Sequence, residues 1–258
     1  MNIHQEQEFR FATRLRDGRL LVSDQTSNSV LVADKNGSFG EKSIWNSLFN
    51  KPQDLAVDPE TGNLFVVDRY NHCFHVFTPV ENQFKHHRIF GNGKLNQPVG
   101  IAIQDAEIYI ADNENHRIAV FDKDTGNLTR TIGDGYGQKP GELFCPCGVA
   151  VYKGFVIVAE WGNGRLQIFR NGKSVFMVTD IPHAHHVTVD AEGNVYVAQH
   201  SAKRIRKFKI YSHEDGSTVG FMADSSFVQL DSAPCGVFCD GDKVGVVTKT
   251  SVIYPSSL

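Results

Sequence analysis

Short apolar runs recur along the whole chain and alternate with turns rich in glycine, asparagine and aspartate. Leu64-Phe-Val-Val67, Ile108-Tyr-Ile-Ala111 and Val156-Ile-Val-Ala159 are typical of these runs. They are too short for helices and favour β-branched and aromatic side chains, which indicates strands. No stretch keeps a helical period over a useful length. The pattern therefore predicts an all-β protein.

The runs belong to a unit that repeats along the chain. Asp24, Asp68 and Asp112, each of which ends an apolar run, are 44 residues apart. Five copies of the unit begin at a proline or its equivalent, at Pro52, Pro98, Pro146, Ala184 and Pro234, and a degenerate copy lies upstream. A repeat of roughly 40–50 residues with about four strands is typical of a β-propeller blade. Six copies account for all 258 residues.

One copy carries a specific resemblance. Its segments are Pro98-Val-Gly-Ile-Ala-Ile103, Ile108-Tyr-Ile-Ala-Asp112, Asn115-His116-Arg117-Ile118 and Val120-Phe121. This pattern resembles the NHL repeat, and the resemblance implies a six-bladed propeller with four-stranded blades. The predicted domain is 1–258, with blades at about 9–46, 47–93, 94–140, 141–180, 181–229 and 230–258 together with 1–8.

The last copy has room for only three strands after Pro234. The polar start of the chain, 2–7, is predicted to supply the missing outer strand. Closing the ring in this way removes exposed sheet edges, which otherwise favour aggregation.

The recurrent aspartates are expected to be structural, because a carboxylate after a strand can cap backbone N–H groups in the following turn. The Asn-His pairs after Asp68 and Asp112 are expected to form hydrogen bonds between blades. A further pair, His86-His87, is expected to be solvated in a loop between blades.

Two rings of side chains are expected to meet at one face of the propeller. The first strand lines the channel and the second runs antiparallel to it, so the start of one adjoins the end of the other. The ring after the proline position is Arg10, Gln53, Val99, Cys147, His185 and Cys235. The ring after the recurrent aspartate is Gln25, Arg69 with Tyr70, Asn113 with Glu114, Trp161, His200 and Lys249. A funnel lined by such polar and aromatic residues predicts a ligand site, for which Arg10, Gln53, Asn113, Trp161 and Lys249 are the candidate binding residues.

Cys147, His185 and Cys235 raise a metal hypothesis, because two thiolates and an imidazole suit zinc with one position left open. The alternative is that this position varies freely and holds whatever side chain packs there. A disulfide between the two cysteines is less expected, since a whole blade separates them. The count of five cysteines is odd, which argues against a complete disulfide framework.

A weaker resemblance is to peptidyl-hydroxyglycine amidating lyase, a propeller whose zinc is held by histidines after the proline position. It implies that His185 is a metal ligand and that Arg69 and Tyr70 serve the substrate. The other ligand positions differ here, with Cys147 and Cys235 among them, so that particular activity is not expected. A different zinc-dependent lyase or hydrolase stays open, with Arg69 as an anion clamp and Tyr70 or His200 in proton transfer.

Composition and charge disfavour some classes of binding partner. The net charge of −3, from 26 basic and 29 acidic residues, disfavours RNA, although NHL propellers of tripartite-motif proteins bind RNA or protein. The first eight residues do not resemble a secretory signal and no apolar run is long enough for a membrane helix, which predicts a cytoplasmic protein without membrane contact. A monomer is expected. Binding of a peptide, protein or small ligand in the funnel is the leading hypothesis. The zinc-dependent enzyme and the RNA-binding domain are the alternatives.

Overall fold

The computed structural model describes residues 8–34, 39–44, 48–81, 83–212, 219–241 and 243–255. Within them the chain forms six antiparallel sheets, each built from strands consecutive in sequence. Blade 1 contains β1 (Phe9–Arg14), β2 (Leu20–Asp24), β3 (Ser29–Ala33) and β4 (Phe39–Ile44), and blade 2 contains β5 (Pro52–Val57), β6 (Leu64–Asp68), β7 (Cys73–Val80) and β8 (Gln83–Phe90). Blade 3 contains β9 (Pro98–Gln104), β10 (Glu107–Asp112), a 3-10 turn (Asn113–Asn115), β11 (Arg117–Asp122) and β12 (Leu128–Ile132).

The remaining blades follow the same plan. Blade 4 contains β13 (Pro146–Tyr152), β14 (Phe155–Glu160), β15 (Arg165–Arg170) and β16 (Lys173–Val178), and blade 5 contains β17 (Ala184–Val189), β18 (Asn194–Gln199), β19 (Arg204–Ser212) and β20 (Val219–Gln229). Blade 6 contains β21 (Pro234–Asp240), β22 (Lys243–Thr248) and β23 (Val252–Ile253). The predicted all-β, six-bladed propeller is confirmed. Within the described residues, no helix has the length and apolarity that crossing a membrane requires.

The ring closes where blade 1 meets blade 6. Strand β1 packs against β21 and β22, and the backbone N–H of Phe9 donates to the carbonyl of Lys249 at 2.7 Å. Blade 6 has three strands among the described residues. The predicted fourth strand, 2–7, lies outside the described residues, so its closing role stays a prediction.

Apolar side chains fill the space between neighbouring blades. Between blades 2 and 3, for example, Phe65, Phe74 and Phe121 are buried together with Ile108 and Ile110. The second strands are buried on both faces, which explains why their sequences are nearly continuous apolar runs rather than alternating ones. The fourth strands are more exposed; β8 is one of these.

The recurrent carboxylates have the structural role predicted for them. Asp112 Oδ1 accepts the backbone N–H of Asn96 at 2.7 Å, and its Oδ2 accepts the side-chain amide of Asn115 at 2.9 Å. His116 Nδ1 accepts the backbone N–H of Cys145, in the segment leading to the next blade, at 3.3 Å. Blade 2 repeats all three contacts. The predicted hydrogen bonds between blades are therefore confirmed.

The expectation for the second histidine pair is wrong for one of its members. His86 lies within β8 rather than in a loop, and its Nε2 is 3.1 Å from Nδ1 of the buried His75. Burial lowers the pKa of His86. His87, whose side chain alternates to the other face of the strand, is exposed.

Candidate functional site

Every first strand carries an irregularity at the residues predicted to form the inner ring. The pairing of Pro146 with Glu160 is followed by Gly148 with Ala159, so Cys147 is an extra residue in its strand. The other five blades show a register shift at the same place. A β-bulge re-aims a side chain, and here it frees the residue after the proline position from the regular pleat.

Side chains close the central channel just below this ring. Asp54 of blade 2 and His186 of blade 5 meet across the axis, with Oδ2 and Nε2 at 3.0 Å. The ring of Phe11 lies 4.7 Å from that of His186. Glycines in the other three blades make room; a Cβ on Gly148 would lie 2.9 Å from the backbone of His186. The funnel is therefore a blind depression, separated from a cavity of about 250 Å³ farther along the channel.

The floor of the funnel is apolar. Phe11, Val99 and Cys147 form a buried cluster, and Trp161 packs against it from the side. Burial raises the pKa of the Cys147 thiol to about 12, so the sulfur is a neutral thiol at neutral pH. Asn113 Nδ2 donates to this sulfur at 3.4 Å and to the carbonyl of Pro146 at 3.0 Å.

An aromatic wall rises from this floor on the side of blades 4 and 5. The indole of Trp161 lies 4.7 Å from the ring of His183, 5.6 Å from that of His185 and 6.0 Å from that of His200. The rings of His185 and His200 are 5.8 Å apart. Trp161, His185 and His200 are half-buried and His183 is exposed, so all four keep contact with solvent. We call these four residues the aromatic wall.

The two inner imidazoles of the wall are uncharged at neutral pH. Burial lowers the pKa of His185 to about 3, with Arg10 and His200 adding to the effect. His185 Nδ1 donates to the carbonyl of Cys235 at 2.7 Å, which leaves Nε2 without a proton. Burial also lowers the pKa of His200, assisted by the charges of Arg10 and Lys249. The wall thus offers neutral rings that can stack and accept hydrogen bonds.

Cationic groups stand beside the wall. Arg10 donates to Glu8 Oε1 at 2.6 Å and to Gln25 Oε1 at 3.0 Å. Lys249 is exposed, with Nζ 3.7 Å from the same Glu8 oxygen. Burial raises the pKa of the Cys235 thiol, and Arg10 and Lys249 partly offset that rise. These contacts place two cations near the aromatic wall.

The opposite side of the funnel carries a third cation. Arg69 donates from Nε and Nη2 to Gln97 Oε1 at 3.2 and 3.0 Å, and its guanidinium lies 5.5 Å from the centre of the Tyr70 ring. Its charge acts on the thiols of Cys145 and Cys147, which sets it beside the floor. Tyr70 is about half exposed.

Two of the predicted binding residues are almost completely buried. Gln53 is buried at 3% exposure and Asn113 at 4%. The amide of Asn113 is engaged by Pro146 and Cys147, as described above, so it joins blades 3 and 4. Of the predicted residues, Arg10, Trp161, His185, His200 and Lys249 come together on one side, whereas Arg69 and Tyr70 lie on the other.

The predicted zinc ligands are not assembled as a ligand set. Among the described residues, the group of three or more whose ligand atoms lie within 4.8 Å of one another is Asp68, Cys73 and His75. Cys147, His185 and Cys235 do not form such a group, and Nδ1 of the imidazole is already bonded to the Cys235 carbonyl. These residues do not fit a ready-made zinc site, and zinc in the funnel stays a prediction.

Part of the chain matches a known family of repeats, and several known proteins are similar in sequence. The NHL repeat family matches residues 49–77 and 95–121. Protein brain tumor of Drosophila melanogaster is 33% identical over 120 residues, which is 44% of this chain and 11% of that protein. NHL repeat-containing protein 3 of Homo sapiens is 28% identical over 179 residues, covering 62% of this chain and 50% of that protein.

A third relative is an enzyme. Peptidylglycine alpha-amidating monooxygenase of Rattus norvegicus is 25% identical over 227 residues, which is 75% of this chain and 22% of that protein. The chain spans half or less of the length of these three relatives.

Solved structures share the architecture over almost the whole chain. Virginiamycin B lyase from Staphylococcus aureus aligns with a TM-score of 0.66 at 14% identity, covering 97% of this chain and 95% of that one. A streptogramin B lyase aligns with a TM-score of 0.68 at 14% identity, covering 98% and 94%. At such identity the likeness concerns the fold alone.

Proposed function

Since the chain belongs to the NHL-repeat family of β-propellers, we propose that it is a recognition module whose funnel holds a peptide segment, either free or exposed on a partner protein. The observation that carries this proposal is the aromatic wall, four solvent-accessible rings gathered beside an apolar floor. Accessible rings that can stack are not needed in a purely structural blade, in which a tryptophan is expected to bury most of its surface. They suit the side chain of a bound peptide.

The charges favour an acidic or carboxylate-bearing ligand. Arg10, Lys249 and Arg69 surround the depression, and Glu8 and Glu114 balance only part of their charge. A guanidinium recognises a carboxylate with two parallel hydrogen bonds. We propose that the apolar part of the peptide lies on the wall while a carboxylate faces Arg10 or Arg69. Gln97, which now accepts both bonds from Arg69, would release them to the ligand.

A direct test is an array of random-sequence octapeptides with free carboxyl ends, probed with the labelled full chain. Binding is expected to favour peptides that combine an aromatic residue with an acidic group. Trp161→Ala is expected to weaken the best peptide at least about tenfold, because stacked aromatic contacts and the area they bury contribute more than about 1.4 kcal/mol. Tyr211→Ala, at an exposed aromatic on the outer part of blade 5, is the matched control and should leave binding unchanged.

Homopolymeric RNA oligonucleotides are included on the same array. Tighter binding of RNA that depends on Trp161 would replace the peptide proposal with the RNA-binding alternative. Absence of both peptide and RNA binding by the wild-type chain would contradict a recognition role for the funnel.

An enzyme acting in the same funnel is the second candidate. The amidating monooxygenase relative favours it, and so does the lowered pKa of His200, which keeps the imidazole unprotonated and available as a base at neutral pH. In this alternative Arg69 holds an anionic substrate, and Tyr70 or His200 transfers the proton. Turnover of a bound peptide, lost in His200→Gln while binding is kept, would establish this function.

A further inference from the structure

Blade 2 departs from blades 3, 4 and 5 at the turn between its second and third strands. In blades 3 and 4 an arginine faces the recurrent carboxylate: Arg117 Nε lies 2.8 Å from Asp112, and Arg165 Nε lies 2.6 Å from Glu160. Blade 5 repeats the arrangement with a glutamine as acceptor. In blade 2 the position of the arginine is held by Cys73. The carboxylate of Asp68 therefore lacks the guanidinium that Asp112 and Glu160 have.

Two metal-ligating side chains take the place of that arginine. His75 Nε2 lies 3.1 Å from Asp68 Oδ2 and 3.7 Å from Cys73 Sγ. All three residues are at most 2% exposed, between blades 1 and 2, where Phe49 and Phe77 pack on the His75 ring. The group is thus a buried cluster of one oxygen, one nitrogen and one sulfur ligand.

The spacing of the three atoms fits a tetrahedral ion. Zinc bonds of about 2.0–2.3 Å at tetrahedral angles separate a nitrogen and a sulfur ligand by about 3.5 Å, and a nitrogen and an oxygen ligand by about 3.3 Å. The observed separations are 3.7 and 3.1 Å. Both lie within a few tenths of an ångström of the tetrahedral values, and the three ligand atoms all lie within 4.8 Å of one another.

Neighbouring groups already hold the ligands as metal sites require. His75 Nδ1 is 3.1 Å from His86 Nε2, and ligating imidazoles nearly always engage their second nitrogen in this way. Asp68 accepts the backbone N–H of Asn50 at 2.9 Å and the amide of Asn71 at 2.7 Å, which fixes the carboxylate. The imidazole and the carboxylate are therefore held in place before any ion arrives.

We propose that Asp68, Cys73 and His75 form a zinc site that ties the second and third strands of blade 2 together and replaces the acid–arginine pair of blades 3 and 4. The carboxylate and a thiolate carry two negative charges, which a divalent cation neutralises inside the fold. Sulfur and imidazole ligands favour zinc over magnesium or calcium, which prefer oxygen. The fourth position is open to water or to an incoming group.

Zinc binding at this site is expected to release a proton, which makes the affinity depend on pH. On binding, the Cys73 thiol releases its proton to solvent. In the metal-free chain His75 Nε2 donates to Asp68, so this nitrogen must give up its proton to hold the ion, and the imidazole then carries its one proton on Nδ1. His86 Nε2 accepts from that Nδ1 once the proton of His86 has moved to its own Nδ1, so neither imidazole changes its proton count and one proton is released for each zinc. A thiol is protonated at neutral pH and binds zinc as the thiolate, so the ion must displace a proton. Zinc affinity is therefore expected to rise about tenfold for each pH unit between 6.5 and 8.

The test uses the full chain purified without a polyhistidine tag, stripped with a chelator and titrated with Zn²⁺ alone. One equivalent should bind. At a free ion concentration of a hundred times the Kd, the melting temperature should rise by about 5–10 °C. Replacing zinc with Co²⁺ should give a thiolate-to-metal charge-transfer band. Cys73→Ser should lose the band and the temperature shift.

Two further variants keep the proposal falsifiable. His75→Gln copies Gln167, which donates to Glu160 at 3.1 Å in blade 4, so it preserves a partner for the carboxylate while removing the imidazole. It should fold and bind no zinc. The Cys147→Ser/Cys235→Ser double variant should bind as the wild type does. Loss of zinc only in that double variant would assign the ion to the funnel, and no stoichiometric zinc in the wild type would exclude the site.

Discussion

Removing the carboxylate of Asp54 should weaken the whole propeller, because this one side chain joins blades on opposite sides of the channel. Its Oδ2 accepts from His186 Nε2 at 3.0 Å and from the backbone N–H of Ile101 at 2.9 Å, while Oδ1 accepts from Leu55 at 2.8 Å. The backbone of Val237 donates to His186 Nδ1 at 3.2 Å, so the proton of this imidazole sits on Nε2. In Asp54→Ala both the imidazole and the Ile101 amide lose their acceptor.

The magnitude follows from these contacts. Each buried donor left without an acceptor costs about 1–3 kcal/mol, and three donors lose theirs: the imidazole and the backbone N–H groups of Ile101 and Leu55. The free energy of unfolding is therefore expected to fall by about 3–5 kcal/mol. Asp54 is 3% exposed, so water is not expected to take over the lost bonds without rearrangement of the channel.

Equilibrium unfolding in urea, followed by far-ultraviolet circular dichroism, measures this loss. Asp124→Ala, at an exposed aspartate in the turn of blade 3, is the control and should stay within about 0.5 kcal/mol of the wild type. A loss below about 1 kcal/mol for Asp54→Ala would refute the idea that the pair closes the channel and holds the blades.

Three further outcomes are expected. Gly148→Ala should lower stability by about 1–3 kcal/mol, measured in the same unfolding assay, because its Cβ would meet the backbone of His186 at 2.9 Å; an unchanged midpoint would contradict the close approach. Arg165→Met should cost about 3–5 kcal/mol by leaving the buried carboxylate of Glu160 without its cationic partner, whereas Arg19→Met, in the exposed pair with Asp17, should cost less than about 1 kcal/mol. His185, with a folded pKa of about 3 against about 6.5 unfolded, binds more protons when unfolded, so its contribution is present above pH 6.5 and is lost as pH falls toward 3. Because the ring is half-buried, the loss at pH 5 should be about 1 kcal/mol; His185→Gln should flatten this part of the stability curve, and an identical slope in both proteins would contradict the assignment.

The repeat explains why the fold could be predicted. Apolar runs between turns define strands, and a fixed interval between equivalent aspartates defines blades, so local signals and architecture agree. The capping role of Asp112 and the inter-blade role of His116 followed from their positions after a strand and in a turn. Such contacts are local or join neighbouring repeats, and they recur in every blade that keeps the residue.

The candidate site is formed by residues that differ between the repeats, and the role of such residues is harder to predict from a single sequence. Asp54 and His186 stand where three other blades have glycine, and that pair was missed although the substitution is visible in the sequence. Cys73 was missed in the same way, because it is unusual only by comparison with the arginine at the same position of blades 3, 4 and 5. The zinc hypothesis for Cys147, His185 and Cys235 rested on shared blade position alone. Equivalent positions around a ring face the axis, but their distance across it depends on what fills the channel.

The central claim, that the aromatic wall is a binding surface, is tested most directly by fluorescence of Trp161 itself. The chain has two tryptophans, so Trp45→Phe leaves Trp161 as the single reporter. Titration with the best array peptide should shift its emission and protect it from acrylamide quenching, at the concentration where an independent anisotropy measurement with labelled peptide shows half saturation. Half saturation by anisotropy with no change in Trp161 emission or quenching would place the peptide elsewhere and contradict the account.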